Sequence, residues 1–277
     1  MKFTKMHGLG NDFVVVDGFT ETLSEDRLPF LAREVCDRHF GIGADGLILL
    51  LPSQQADLQM RIFNADGSEA DACGNGIRCL GKFAYERGKI RETRFTVETK
   101  AGLVPLELEV RNGFVEQVRV DIATPSFARG KIPMVGPPDE EAMGERLQVG
   151  GRELEVTCLS VGNPHCVAFL PAVDDEIVRG LGPLIERYPA FPCRINAEFV
   201  EVLDRRTLRM RVWERGAGET QACGTGACAA LVAAARSGRT ERRATVRLLG
   251  GDLFIEWTDE NRILMTGPAT QVYVGEY

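Results

Sequence analysis

The chain has 277 residues, 44% of them hydrophobic and 26% charged, and its 33 Lys and Arg against 40 Asp and Glu leave a net charge of −7. This is soluble globular composition, long enough for two domains, and an acidic chain without a basic run argues against nucleic acid or an anionic membrane as partner. No apolar stretch approaches the ~20 residues of a membrane span and the N-terminus lacks the apolar core of a signal peptide, so a cytoplasmic location is expected.

In chain order, residues 1–18 alternate as a strand, and an amphipathic helix is expected over 27–37. The period-2 segment 58–64 leads into a Gly-rich loop. A helix over 74–87 follows, ended by Gly88 in the favoured position after a helix. The segment TVETKAGLVPLEL then reads as strand. A second amphipathic helix is expected over 174–187, another period-2 segment over 207–213, and a helix over 224–237 ended by Gly238. That last helix is almost all small or apolar (ACAALVAAA) and should be buried on nearly every side. TVRLLGGDLFIEW and the C-terminal GPATQVYVGEY read as strands. The expected picture is a central buried helix wrapped by strands, twice over.

The strongest organisational signal is an ungapped internal repeat at an offset of 150 residues. RIFNADGSEADACGNGIRC starts at Arg61 and RVWERGAGETQACGTGAC at Arg211. Arg61 aligns with Arg211, Phe63 with Trp213, Glu69 with Glu219, Ala72 with Ala222 and Cys73 with Cys223. Gly74, Gly76 and Gly88 fall on Gly224, Gly226 and Gly238. Upstream, Gly10-Asn11 resembles Gly162-Asn163. A copy of ~120–140 residues is domain-sized. The fold class expected is therefore α+β with two pseudo-symmetric domains, whose matching elements would face each other across a cleft.

Cys73 and Cys223 each stand where a Gly-rich turn becomes a helix. The first helical N–H groups lack intrahelical partners and carry the positive end of the helix dipole. A thiol there is expected to be more acidic than an ordinary cysteine. The N–H groups of Gly74-Asn75 and Gly224-Thr225 offer a carboxylate site. Two such ends brought together could hold an α-amino acid by its carboxylate, with one thiol on each face of the α-carbon. One sulfur would remove the α-proton while the other delivers a proton from the opposite side, inverting the configuration.

The remaining cysteines (Cys36, Cys79, Cys158, Cys166, Cys193 and Cys228) are expected to be buried and inert. A disulfide framework is not expected in a reducing compartment. With no C-x2-C pair and three histidines, a zinc site is not expected either. Nor is there a P-loop or dinucleotide fingerprint, so no metal and no cofactor is assigned. Asn11 and Asn163 correspond in the repeat, although asparagine beside glycine is also a common turn former. Arg61 and Arg211 are expected to anchor strands. His165 reads equally as a hydrogen-bonded turn histidine.

The motifs KMHGLGNDFVVVD, RIFNADGSEADACGNGIRC, VGNPHC, ERGAGETQACGTGAC and MTGPA resemble the diaminopimelate epimerase family, and together they span essentially the whole chain. The resemblance implies interconversion of LL- and meso-2,6-diaminopimelate without pyridoxal, in lysine and cell-wall precursor synthesis. It implies Cys73 and Cys223 as the acid–base pair. Gly74, Asn75, Gly224 and Thr225 would supply N–H groups to the reacting carboxylate. Asn11, Asn64, Asn163, Asn196, Glu214 and Arg215 match substrate-binding positions, and His165 and Glu214 match positions flanking the catalytic centre. It further implies a diaminopimelate epimerase-like fold, each half a mainly antiparallel β-sandwich or barrel around its helix. The domains would run 1–125 plus 266–277, and 126–265, in a homodimer. Gly46 stands where some relatives carry glutamine and is left off the site. Two other readings stay open on the residues alone. One is a two-thiol racemase acting on histidine, proline or hydroxyproline; the other is a duplicated binding module with a regulatory disulfide.

Overall fold

The computed structural model describes residues 1–71 and 73–277; Ala72, the repeat partner of Ala222, lies outside the described residues. The chain forms two compact units, Met1–Asp121 with Thr266–Tyr277, and Ile122–Met265.

In the first unit β1 (Lys2–Gly8) and β2 (Asn11–Asp17) form an antiparallel hairpin. The alternating stretch 1–18 is thus two strands, divided at Leu9 and Gly10, whose φ values of 58° and 87° are the pair of left-handed conformations a two-residue hairpin turn requires. The chain crosses through α1 (Leu28–Cys36) to β3 (Gly46–Leu51), parallel to β2. β4 (Leu58–Asn64) returns antiparallel and carries the short β5 (Glu69–Ala70). After α2 (Gly74–Glu86), β6 (Arg94–Thr99) lies parallel to β4, and β7 (Gly102–Arg111) and β8 (Phe114–Ala123) continue antiparallel.

The second unit repeats this order. β9 (Glu145–Val149), β10 (Arg152–Ser160) and β11 (Pro164–Phe169) pair antiparallel. α3 (Asp175–Glu186) crosses to β12 (Asn196–Asp204), parallel to β11. β13 (Thr207–Glu214) returns with its short partner β14 (Gly218–Glu219). After α4 (Gly224–Arg236), β15 (Arg243–Leu248) lies parallel to β13 and pairs with β16 (Gly251–Trp257). β17 (Ile263–Gly267) follows, and the chain then returns to the first unit, where β18 (Thr270–Glu276) pairs antiparallel with β1. The fold is α+β, and each unit mixes antiparallel ladders with two parallel steps where a helix makes the crossover.

Each sheet is covered by helices on both faces, which explains why β3 reads GLILLL without a polar break. Leu47 and Leu49 join Leu28, Ala32 and Val35 of α1 in one cluster, while Ile48, between them, points at Gly76 of α2. In the second unit Cys166, Ala168, Ala197 and Phe199 cluster with Val178, Leu181 and Ile185 of α3. The alternate residues of β11 and β12, including His165 and Glu198, therefore face α4. α4 itself is buried from Gly226 to Ala234 and packs on β10 to β13, β15 and β16.

Both central helices end alike. Gly88 and Gly238 take φ of 67° and 72°, and the next residues, Lys89 and Arg239, donate N–H groups to Ala84 and Ala234 at 2.9 Å each. This is the left-handed cap that glycine adopts without strain. Among the described residues no helix is long and apolar enough to cross a membrane. One cysteine departs from expectation: Cys193 is exposed, whereas Cys36, Cys79, Cys158, Cys166 and Cys228 are buried. Cys193 sits in the surface turn after α3, outside any packed face.

Candidate active site

Cys73 and Cys223 are the N-cap residues of α2 and α4. Both have extended backbone (φ −146°, ψ 114° and φ −114°, ψ 109°), and each sulfur accepts the N–H three residues on. The Gly76 N–H lies 3.4 Å from Cys73 Sγ and the Gly226 N–H 3.3 Å from Cys223 Sγ. Space is tight at both glycines. A Cβ on Gly76 would lie 2.9 Å from Ile48 Cδ1, and one on Gly226 would lie 3.0 Å from Glu198 Oε1.

The β-hairpins before the helices are braced alike. Arg61 bonds Glu69 at 2.7 Å and also Glu25, while Arg211 bonds Glu219 at 2.8 Å through Nε and Asp175 at 2.7 Å. The two arginines tie β4 to β5 and β13 to β14, and so fix the approach to each helix start.

Around Cys73 the surroundings are amides. Asn11 Oδ1 lies 3.8 Å from the sulfur and accepts from Asn75 Nδ2 at 3.2 Å. Its Nδ2 donates to Asp45 at 2.7 Å, and Asp45 also pairs with Arg38 and accepts the Asp12 N–H. Asn64 is exposed at the end of β4, held to Ser68 at 2.9 Å. A Cβ at Gly46 would lie 2.8 Å from the Phe63 carbonyl oxygen, so the strand pairing here leaves no room for a larger residue without a backbone shift.

Around Cys223 the surroundings are ionisable. His165 and Glu198 are fully buried, with Nδ1 of the ring 2.6 Å from Glu198 Oε1 and Nε2 2.9 Å from Asn163 Oδ1. Glu214 accepts from Thr220, and Thr225 Oγ1 lies 3.5 Å from Cys223 Sγ. Burial holds the Glu214 carboxyl above its ordinary range, against hydrogen bonds from Thr220 and Cys223. Burial likewise pushes the Cys223 thiol well above an ordinary cysteine, followed by the charges of Glu214 and Glu198. The expectation of a more acidic thiol at this helix end is therefore corrected for Cys223. The Thr225 hydroxyl and the Gly226 N–H do lower it, but desolvation and two carboxylates outweigh them.

Asn196 is buried with both ends of its amide engaged: Nδ2 donates to the Pro164 carbonyl at 2.8 Å and Oδ1 accepts the Arg215 N–H at 2.8 Å. It shapes the turn that carries Arg215, whose exposed guanidinium reaches the Cys193 carbonyl at 3.2 Å. Glu186, at the end of α3, braces the same turn by accepting from Trp213 Nε1 at 2.9 Å and the Gly216 N–H at 3.0 Å. Sequence reasoning missed Asp45, Glu186 and Glu198. A glutamate on the apolar face of the predicted 174–187 helix was the available signal for Glu186.

The family model described as diaminopimelate epimerase matches residues 3–127 and 157–272. A diaminopimelate epimerase of Pelotomaculum thermopropionicum is 56% identical over 277 residues, covering 100% of this chain and 99% of that protein. One from Acetivibrio thermocellus is 53% identical, covering 100% and 98%. Among solved structures, a probable proline racemase of Agrobacterium radiobacter with bound carbonate superposes with a TM-score of 0.72 at 18% identity, covering 100% of this chain and 92% of that one. A hydroxyproline epimerase of Agrobacterium vitis gives 0.70 at 17%, covering 99% and 91%; at such identities the likeness is one of fold. Identity above one half along the whole length, with both halves inside the family model, establishes that this chain belongs to the diaminopimelate epimerase family.

Proposed function

We propose that Cys73 and Cys223 are the two proton-transfer groups with which this chain interconverts LL- and meso-2,6-diaminopimelate. The single observation that carries the reading is that both sulfurs occupy one backbone role, N-cap of a central helix, at equivalent places in a doubled chain. One thiolate takes the α-proton, breaking C–H and forming S–H. The other thiol gives its proton to the opposite face, breaking S–H and restoring C–H. No electron is transferred, so the reaction needs neither a redox partner nor a cofactor to balance.

The N–H groups of Gly74, Asn75, Gly224 and Thr225 lie in first helical turns, where donors have no intrahelical partner, and they stabilise the charge that grows on the reacting carboxylate. Asn11, Asn64, Asn163 and Asn196 orient the substrate. Arg215 suits the distal carboxylate, because a guanidinium fork matches it in shape and charge, and Glu214 suits an ammonium. His165 acts behind Asn163 and beside the catalytic centre. The same reading places the enzyme in the cytoplasm as a homodimer, the latter open to test by sedimentation.

The substrate is tested by α-proton exchange in heavy water with LL-diaminopimelate, histidine, proline and hydroxyproline in parallel. Exchange confined to diaminopimelate is expected. Faster exchange with an amino acid that lacks a second carboxylate would favour a two-thiol racemase of another specificity.

A further inference from the structure

The two halves share one order of elements, and their strand registers make equivalent positions comparable. In the first unit Phe13 pairs with Gly46 and Val15 with Ile48; in the second His165 pairs with Asn196 and Val167 with Glu198. Phe13 thus corresponds to His165 and Ile48 to Glu198, while the repeat aligns Asn64 with Glu214. The glycine contacts give the same equivalence independently. The side chain under Gly76 is Ile48, and the side chain under Gly226 is Glu198. In the first half these three positions are apolar or neutral, and in the second half all three are ionisable.

Glu198 is the deepest of these. It is fully buried, its Oε1 meets the His165 ring at 2.6 Å, and its Oε2 has no hydrogen-bond partner among the described residues. The His165 imidazole stands on one side of it and the first turn of α4, at Gly226, on the other. A Cβ on Gly226 would lie 3.0 Å from Glu198 Oε1 and 3.3 Å from Cys223 Sγ, so carboxylate and sulfur crowd the same point of the first helical turn.

We propose that Glu198 is a positioning residue that makes the two thiols unequal: it locks the His165 ring against Asn163 and sets a carboxyl group beneath the first turn of α4 beside Cys223, where the first half has Ile48. The inference rests on the reading of Cys223 as a proton-transfer group. The groups that face this sulfur are Glu198 from β12, Glu214 from β13, His165 from β11, and Thr225 and the Gly226 N–H from α4. Two are carboxylates that disfavour the thiolate.

The test is the rate at which iodoacetamide alkylates each cysteine at neutral pH, mapped by mass spectrometry in the parent chain, Glu198→Gln and Glu198→Asp. Glu198→Gln keeps the shape and removes the charge, and Cys223 should alkylate about five-fold faster while Cys73 is unaffected. Glu198→Asp keeps the charge and should leave Cys223 as slow as in the parent. An unchanged Cys223 rate in Glu198→Gln, or equal acceleration in both variants, overturns the proposal. Should the variants not fold, the parent chain decides by proton NMR. A downfield Nδ1 proton that vanishes in His165→Gln is expected, and its absence from the parent refutes the pairing. Alkylation is independent of turnover. If Cys223→Ala kept full epimerase activity, the catalytic reading would fail while the charge effect on Cys223 could still be measured.

Discussion

Asn11 donates its side-chain amide to Asp45 at 2.7 Å, and this fixes which end of the amide faces Cys73. With Nδ2 committed, Oδ1 is turned toward the sulfur and toward Asn75. Asp45→Ala releases the amide. The expected result is a fall in kcat/KM of roughly ten-fold, the scale of one hydrogen bond to a charged group. Because Asp45 is exposed, the melting temperature should hardly move. Steady-state kinetics beside a thermal melt checks both, and unchanged kinetics would show that the Asn11 orientation is held without Asp45.

Asp12 gives the acid limb of stability. Burial raises its carboxyl, but hydrogen bonds from Arg38 and Lys5 outweigh that and bring it from 3.8 down to about 2. A carboxylate lowered in the folded state contributes stability above its unfolded value, and that contribution is lost as pH falls through the folded one. The parent should therefore lose stability between about pH 4 and about pH 2, and Asp12→Asn should lose less over the same interval. Denaturant melts across that range decide it.

Gly88 and Gly238 have nothing within 4 Å of an added Cβ, so a substitution there costs only backbone strain. Gly88→Ala and Gly238→Ala should each destabilise by about 1 kcal/mol, lowering the melting point by roughly 2–4 °C. Activity should be unchanged, since both caps lie at the ends of α2 and α4 opposite the cysteines.

Asn196→Ala removes the partner of two backbone groups, the Pro164 carbonyl and the Arg215 N–H. The loss should be about 1–3 kcal/mol of stability for the groups left unsatisfied. The loosened Arg215 turn should also raise KM more than it lowers kcat. A variant with parental KM would show that Arg215 is held by Glu186 and the turn alone.

The helix starts and their cysteines were legible because a repeat reports the same local solution twice: Cys, Gly and Gly at fixed spacing before an apolar helix, then glycine at the end. Strand alternation was legible where one partner covers each face. The break at Leu9-Gly10 was not, since leucine gives no sign of a left-handed turn. Asp45 and Glu198 escaped notice for a different reason. Their partners, Asn11 and His165, lie 34 and 33 residues away, and only the parallel pairing of β2 with β3 and β11 with β12 brings them together. The acidity of Cys223 was misjudged because the helix-end effect is local and readable, whereas burial and the charges of Glu198 and Glu214 come from tertiary packing.

The central claim is that two sulfurs share one proton transfer, and α-proton exchange by single-cysteine variants tests it most directly. With LL-diaminopimelate in heavy water, Cys73→Ala and Cys223→Ala should each lose epimerisation by about 10³-fold or more while keeping the parental circular dichroism. Full activity in either folded variant would contradict the account.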